Sequence, residues 1–229
     1  MKKIVLFGAP GVGKGTFAEL LSKKEKLKHI NVGNLLREEI KKESSIGKEV
    51  SKLVKNGYLV SDNIIIDIVN NEIKKCNVIN KELSYNGFIL DGFPRNMFQS
   101  EELIKITKID LFVNIYLPKY ILIKKLLGRR ICSICQNNFN VTNIQDNNYD
   151  MPPLLPSTEC LICKGETTNL TKRSDDKKEI IEHRLNTYES NSLPIINFFK
   201  NSNFNFVNFE VKKGIKDFDD FYNIIIKYF

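Results

Sequence analysis

The sequence predicts an α/β fold in which a parallel sheet is covered by helices on both faces. Three observations predict it: short apolar runs without polar alternation, helical periods between them, and a glycine-rich turn joining the first run to the first helical segment. Strands that alternate with helices imply right-handed crossovers and hence a parallel sheet.

The first run, Ile4-Val5-Leu6-Phe7, follows Met1-Lys2-Lys3 and superficially mimics a secretory leader. It stops at a Gly/Pro-rich turn, whereas a leader needs about 7 to 15 apolar residues. It reads as a buried strand at the N-terminus that leaves no room for a removable presequence. The glycosylation patterns at Asn140 and Asn169 then read as coincidental.

Gly87 to Leu90, Leu111 to Leu117 and Phe204 to Phe209 are three further runs of apolar, β-branched or aromatic character, read as buried strands. Phe17 to Leu27 is amphipathic. Ile64, Ile65, Ile68, Val69 and Ile73 share one face of a helix starting near Ser61-Asp62. Ile180, Ile181, Leu185 and Tyr188 share one face of a helix entered through Ser174-Asp175-Asp176. From about Gly128 to Lys172 the rhythm breaks: four cysteines fall there, and Gln136 to Thr158 is rich in Asn and Pro without a helical period. This segment reads as an inserted subdomain pinned by something other than a large core.

Hydrophobic residues are 42% and charged residues 27% of the 229, which is ordinary globular usage and excludes a fibrous or wholly disordered chain. No apolar run approaches the roughly 20 residues of a membrane-spanning helix. A net charge of +8 favours anionic partners: phosphates, nucleic acid or an acidic surface. Five cysteines are too few for a secreted disulfide scaffold of this length, and a reducing compartment is the simpler reading.

Gly8-Ala9-Pro10-Gly11-Val12-Gly13-Lys14-Gly15-Thr16 lies between the first strand and the first helical segment. Glycines let consecutive backbone N–H groups turn inward, the following helix presents its N-terminus, and Lys14 adds a mobile positive charge; together these cradle a polyphosphate. The general pattern has Ser or Thr directly after the lysine, whereas Gly15 intervenes here before Thr16. Asp91, at the end of Phe88-Ile89-Leu90, falls on the same sheet edge, where a carboxylate holds Mg²⁺ or its waters. Cys132-Ser133-Ile134-Cys135 and Cys160-Leu161-Ile162-Cys163 are two C-x-x-C knuckles whose spacing suits tetrahedral thiolate coordination of a structural Zn²⁺. A redox pair or an iron centre uses the same ligands. Cys76, His29 and His183 read as structural.

Asp91-Gly92-Phe93-Pro94-Arg95, read with Gly8 to Thr16, closely resembles the nucleoside monophosphate kinases, adenylate kinase in particular. The resemblance runs in order over most of residues 2 to 190. It implies a P-loop NTPase-like five-stranded parallel sheet flanked by helices, with an inserted acceptor-binding helical region and a zinc-ribbon-like lid. The single domain would divide into a core (1–31, 62–128, 173–229), an acceptor region (32–61) and a lid (129–172).

By the same resemblance the donor nucleotide is held by Gly11, Val12, Gly13, Lys14, Gly15, Thr16, Lys125 and Arg129. The acceptor is held by Val32, Arg37, Gly57, Leu59, Val60, Gly92, Arg95, Gln99, Arg173 and Arg184. Lys14, Asp91, Arg95, Arg129, Arg173 and Arg184 are the implied catalytic set, and Cys132, Cys135, Cys160 and Cys163 the metal set. Such an arginine set suits phosphoryl transfer, where catalysis is mostly in-line positioning and cationic clamping. The implied reaction is reversible, Mg²⁺-dependent transfer from a nucleoside triphosphate, ATP favoured, to AMP, giving two diphosphates.

This sequence departs from the family at several positions. Val32 replaces a threonine near the acceptor adenine, and Asn31, Asn34 and Asn96 are not the commonest residues. Asn96 is the choice of pyrimidine monophosphate kinases, while Gln99 and the long lid favour adenylate kinase. Lys125 replaces an arginine that often stacks on the donor base, and lysine lacks the planar guanidinium. GTP:AMP transfer and UMP/CMP phosphorylation are therefore the enzymatic alternatives. A nucleotide-binding regulator and a zinc nucleic-acid-binding protein are the non-enzymatic ones. The expected partners are small nucleotides, with no nucleic acid and no membrane, and the expected form is a monomer. The cytoplasm is the default compartment and the mitochondrial matrix the alternative.

Overall fold

The computed structural model describes residues 1–77, 85–146 and 148–229. Its centre is a five-stranded, all-parallel sheet built from β1 (Lys2–Phe7), β2 (Lys28–Asn31), β3 (Gly87–Asp91), β4 (Leu111–Tyr116) and β10 (Asn205–Glu210). The spatial order is β10-β4-β1-β3-β2, so β1 lies in the middle. Its neighbours are in register with Ile4 opposite both Ile89 and Leu111. Ile4 and Leu6 point into one apolar cluster and Val5 and Phe7 into the other. Both faces of the sheet are thus covered, which is why the strands read as continuous apolar runs.

Four of the five strands are legible as apolar runs. The exception is β2, Lys-His-Ile-Asn, where only Ile30 is fully buried. Being short and at the sheet edge, it has no apolar signature; the resemblance alone implied a fifth strand.

The helices are α1 (Lys14–Glu25), α2 (Val32–Lys41), α3 (Ser45–Lys55), α4 (Asp62–Asn77), α5 (Met97–Ile106), α6 (Lys119–Gly128), α7 (Lys178–Lys200) and α8 (Phe218–Ile225). Capping explains three of their starts, that of α3 through Ser44 Oγ, which accepts the Gly47 N–H at 3.0 Å. Asn31 accepts a bond from the Asn34 N–H at 2.8 Å to start α2, and Asn96 accepts one from the Gln99 N–H at 2.8 Å to start α5. The start of α7 differs from its expected form. Lys177 precedes its first turn without a side-chain cap, and the two aspartates before it face arginines instead.

Residues 129–171 carry a separate small layer. β5 (Arg129–Cys132) lies between β6 (Asn138–Asn140) and β9 (Leu170–Thr171) in an antiparallel sheet. β7 (Ile144–Gln145) and β8 (Asp150–Met151) pair beside it. Strands of two to four residues bury little apolar surface, as the sequence predicts for this segment.

Candidate active site

The C-terminal edge of the sheet opens into a large cavity. Gly11, Val12, Gly13, Lys14, Gly15 and Thr16 line it between β1 and α1. Gly8 has φ +147°, and a Cβ there would lie 2.1 Å from the Ile115 carbonyl oxygen, so only glycine lets the loop leave β1 beside β4. Gly13 precedes α1 at φ +110°. Lys14 Nζ donates to the carbonyls of Gly8 and Ala9 at 2.6 and 2.9 Å, folding the side chain over the loop.

Asp91 ends β3 opposite this loop, buried to 4% exposure. Its Oδ2 accepts from Asn31 Nδ2 at 2.5 Å and sits 3.2 Å from His29 Nε2. Burial pushes its carboxyl up, but His29, Lys14 and Asn31 together outweigh that and hold it below the ordinary range, so it is ionised. A Cβ on Gly15 would lie 3.4 Å from Asp91 Oδ2, so the residue between Lys14 and Thr16 faces the carboxylate across a narrow gap.

Cations surround the cavity. Arg37, Arg95, Arg129, Arg173 and Arg184 all line it with Lys14 and Lys125. Arg129 is held by Asp176 through two hydrogen bonds, at 2.8 and 2.5 Å, and Arg184 by Asp175 at 2.7 Å. Arg95 Nε donates to the Gly92 carbonyl at 2.8 Å, and Arg37 to Asn34 Oδ1 at 2.5 Å. Arg173 Nε is buried without a hydrogen-bond partner among the described residues. Burial brings Lys14 down to about 8; Asp91 opposes this, while Arg95, Arg184 and Arg129 reinforce it. Arg173 comes down to about 9 through burial and the nearby Arg129 and Arg37. So many crowded cations with one unpaired guanidinium nitrogen form a receptor for a polyanion.

A second, smaller cavity adjoins the first and shares Gly33, Arg37, Gly57, Leu59, Arg95 and Arg184 with it. Val32, Val60 and Gln99 line it as well. Gly57, at φ +74°, packs so closely on α7 that a Cβ would meet Ile180 Cγ2 at 2.6 Å. Every residue that the sequence assigned to donor or acceptor lines one of the two cavities.

Sequence reasoning missed several residues of the site. Asp62 accepts hydrogen bonds from Asn96 and Gln99 at 2.9 and 2.7 Å. Thr187, Tyr188, Asn191 and Ser192 of α7 line the large cavity, as do Met151, Lys213 and Ile215. A helix of mixed polarity carries no signal for which polar face meets a ligand. The three asparagines that depart from the family pattern have structural duties: Asn31 caps α2 and holds Asp91, Asn34 holds Arg37, and Asn96 caps α5. Asn96 lines neither cavity.

In the small layer, the sulfurs of Cys132, Cys135 and Cys163 lie within 4.8 Å of one another. Cys160 is in the same knuckle as Cys163 but outside that trio. A cluster of three soft thiol donors with a fourth beside it fits Zn²⁺ in kind. Among the described residues no helix is long and apolar enough to cross a membrane.

The adenylate kinase family model matches residues 6–204. A GTP:AMP phosphotransferase of Plasmodium falciparum is 67% identical over 226 residues, covering 99% of this chain and 96% of the relative. Adenylate kinase 1, chloroplastic, of Arabidopsis thaliana is 38% identical over 93% of this chain and 73% of its own length. An adenylate kinase of Caldicellulosiruptor bescii is 39% identical over 86% of each chain.

Proposed function

Because the chain belongs to the adenylate kinase family and is thereby a nucleoside monophosphate kinase, we propose that it transfers the γ-phosphoryl group of GTP to AMP, giving GDP and ADP. The observation that carries the donor is the 67% identity, over nearly both full lengths, with a protein named for GTP:AMP transfer. ATP is the second reading, favoured by the relatives named adenylate kinase. AMP as acceptor is supported by the names of the relatives and by Gln99, which lines the smaller cavity as Asn96 does not.

The loop from Gly11 to Thr16, Lys14 and Arg129 hold the donor phosphates, with Lys125 toward the base. Arg37 and Arg95 grip the acceptor phosphate, and Arg173 and Arg184 span the two nucleotides. An oxygen of the acceptor phosphate attacks the γ-phosphorus while its bond to the β,γ-bridging oxygen breaks. No side-chain nucleophile takes part. The arginines stabilise charge that spreads over the equatorial oxygens. Asp91, ionised at neutral pH, and Thr16 would hold Mg²⁺ with the nucleotide, and that ion neutralises phosphate charge when bound. The layer of residues 129–172 acts as a lid that keeps water from the γ-phosphorus, with Cys132, Cys135, Cys160 and Cys163 holding a structural Zn²⁺.

The test crosses GTP and ATP with AMP, GMP, CMP and UMP in the presence of Mg²⁺ and separates the products. Formation of GDP and ADP from GTP and AMP, faster than any product from ATP, is the expected outcome. Equal or faster turnover with ATP would return the donor to ATP, and activity confined to CMP or UMP would overturn the acceptor.

A further inference from the structure

Lys125 lies in the last turn of α6, and its backbone is fixed from two sides. Asn140 Nδ2 donates to the Lys125 carbonyl at 2.8 Å, and Thr142 Oγ1 to that of Lys124 at 3.1 Å. The next residue, Leu126, packs on the glycine loop, since a Cβ on Gly11 would meet Leu126 Cγ at 2.7 Å. The Lys125 side chain therefore enters the large cavity at a set distance from the phosphate loop. There it meets the Met151 sulfur, and Ile144, Pro152, Val211 and Ile215 are among the apolar residues that line the same cavity, with Asn140, Thr142 and Lys213 among the polar ones.

Its ammonium has three N–H donors and no good acceptor. Among the described residues its one hydrogen-bonding contact is Met151 Sδ at 3.8 Å, and a thioether is a weak acceptor. The acidic group that favours its charge, Asp217, already accepts the N–H groups of Lys212 and Lys213 at 2.7 and 2.6 Å. Burial brings Lys125 down to about 8, as expected of an ammonium lacking a partner. A site with unmet donors and apolar walls takes a flat, partly apolar ligand that carries an acceptor.

We propose that Lys125 is a specificity-determining residue of the donor site, its ammonium donating to the 6-oxo group of guanine; this rests on GTP being the donor. Both purines offer the N7 acceptor, so N7 does not discriminate. At C6 guanine carries a carbonyl oxygen, whereas adenine carries an amino group whose hydrogens would meet those of the ammonium. A buried donor facing another donor is left unsatisfied, and sites built on such a bond reject the wrong partner strongly. A stacking guanidinium would read the base face and distinguish the two purines less.

The test measures kcat/KM for GTP, ITP and ATP, each with AMP, in the parent, in Lys125→Met and in Lys124→Met. ITP keeps the 6-oxo group and lacks the 2-amino group, so it isolates the contact proposed. Lys124 is the exposed neighbour, its ammonium lying over the Tyr120 ring, and controls for loss of one charge. Expected is that the parent prefers both GTP and ITP to ATP, and that both preferences fall about tenfold or more in Lys125→Met and persist in Lys124→Met. Ratios within one preparation do not depend on the fraction folded. If turnover is lost, calorimetric binding of GTP, ITP and ATP, measured without AMP, reads the same preferences. Unchanged ratios in Lys125→Met, or ITP used no better than ATP by a parent that prefers GTP, would overturn the role of Lys125. A parent without preference for GTP would overturn the donor reading first and the role of Lys125 with it.

Discussion

Asp62, the first residue of α4, and Gln99, in the first turn of α5, are joined by a 2.7 Å bond from Gln99 Nε2 to Asp62 Oδ1. The other end of the Gln99 amide accepts the Arg95 N–H at 2.7 Å. The carboxylate thereby decides which way the amide points, and the amide ties the arginine to the wall of the smaller cavity.

Asp62→Ala removes one of the two bonds that orient Gln99 and leaves its amide held by the Arg95 N–H alone. The expected result is a KM for AMP raised about tenfold, with the KM for the donor triphosphate unchanged within a factor of about two. Asp62→Asn, which keeps one acceptor oxygen, is expected to recover part of the loss. Steady-state kinetics with either substrate varied checks this, and an equal rise in both KM values would mean general damage instead.

Arg129, which lines the large cavity, is paired with Asp176, whose side chain is only 1% exposed. Arg129→Ala is expected to lower kcat by about 100-fold or more, the usual cost of removing a preorganised charge from a transition state. It also leaves the Asp176 carboxylate buried without its strongest partner, so the melting temperature should fall. Asp176→Ala should destabilise similarly while costing less in kcat, because Arg129 keeps its charge. Single-turnover rates and thermal unfolding of the two variants separate these effects.

The sequence makes this site legible to an uneven degree. The phosphate loop and Asp91 are visible because few other arrangements of glycines, a lysine and a strand-terminal carboxylate have chemistry to do. The arginines are visible only jointly, by their order, since a lone arginine in a basic chain is ordinarily a solvated charge. Asp175 and Asp176 resemble helix-capping residues by position, and only the fold shows them turned toward Arg184 and Arg129. Asp62 reads in the sequence only as a helix start, because its meaning for the site depends on α4 and α5 starting side by side. Likewise β2 escaped notice because an edge strand of four residues needs only one buried side chain.

Lys14 has been brought down to about 8 from an ordinary value of 10.5. Below that pH the ammonium is charged and attracts the donor phosphates; above it the free enzyme holds a neutral amine. Since kcat/KM reports ionisations of the free enzyme, kcat/KM for the triphosphate should decline as pH rises through about 8. Bound phosphate favours the charged form, so kcat at saturation should hold to a higher pH. Lys125 titrates in the same range. The decline should therefore persist in Lys125→Met, which assigns it to Lys14.

The small layer of residues 129–171 offers the last prediction, because its strands are too short to hold together by apolar burial. Cys132 and Cys163 are buried, yet among the described residues the apolar side chains of their layer form no cluster separate from the main core. A thiolate-bound metal supplies the missing stabilisation in layers of this size. One Zn²⁺ per chain is expected by elemental analysis. Its removal by a chelator, or Cys132→Ala, should lower kcat while leaving nucleotide binding to the loop of Gly11 to Thr16 nearly intact. It should also add a low-temperature transition to the unfolding curve, since the five-stranded sheet keeps its own two-faced core. A metal-free protein with full activity and a single transition would show that the cysteines hold this layer by packing alone.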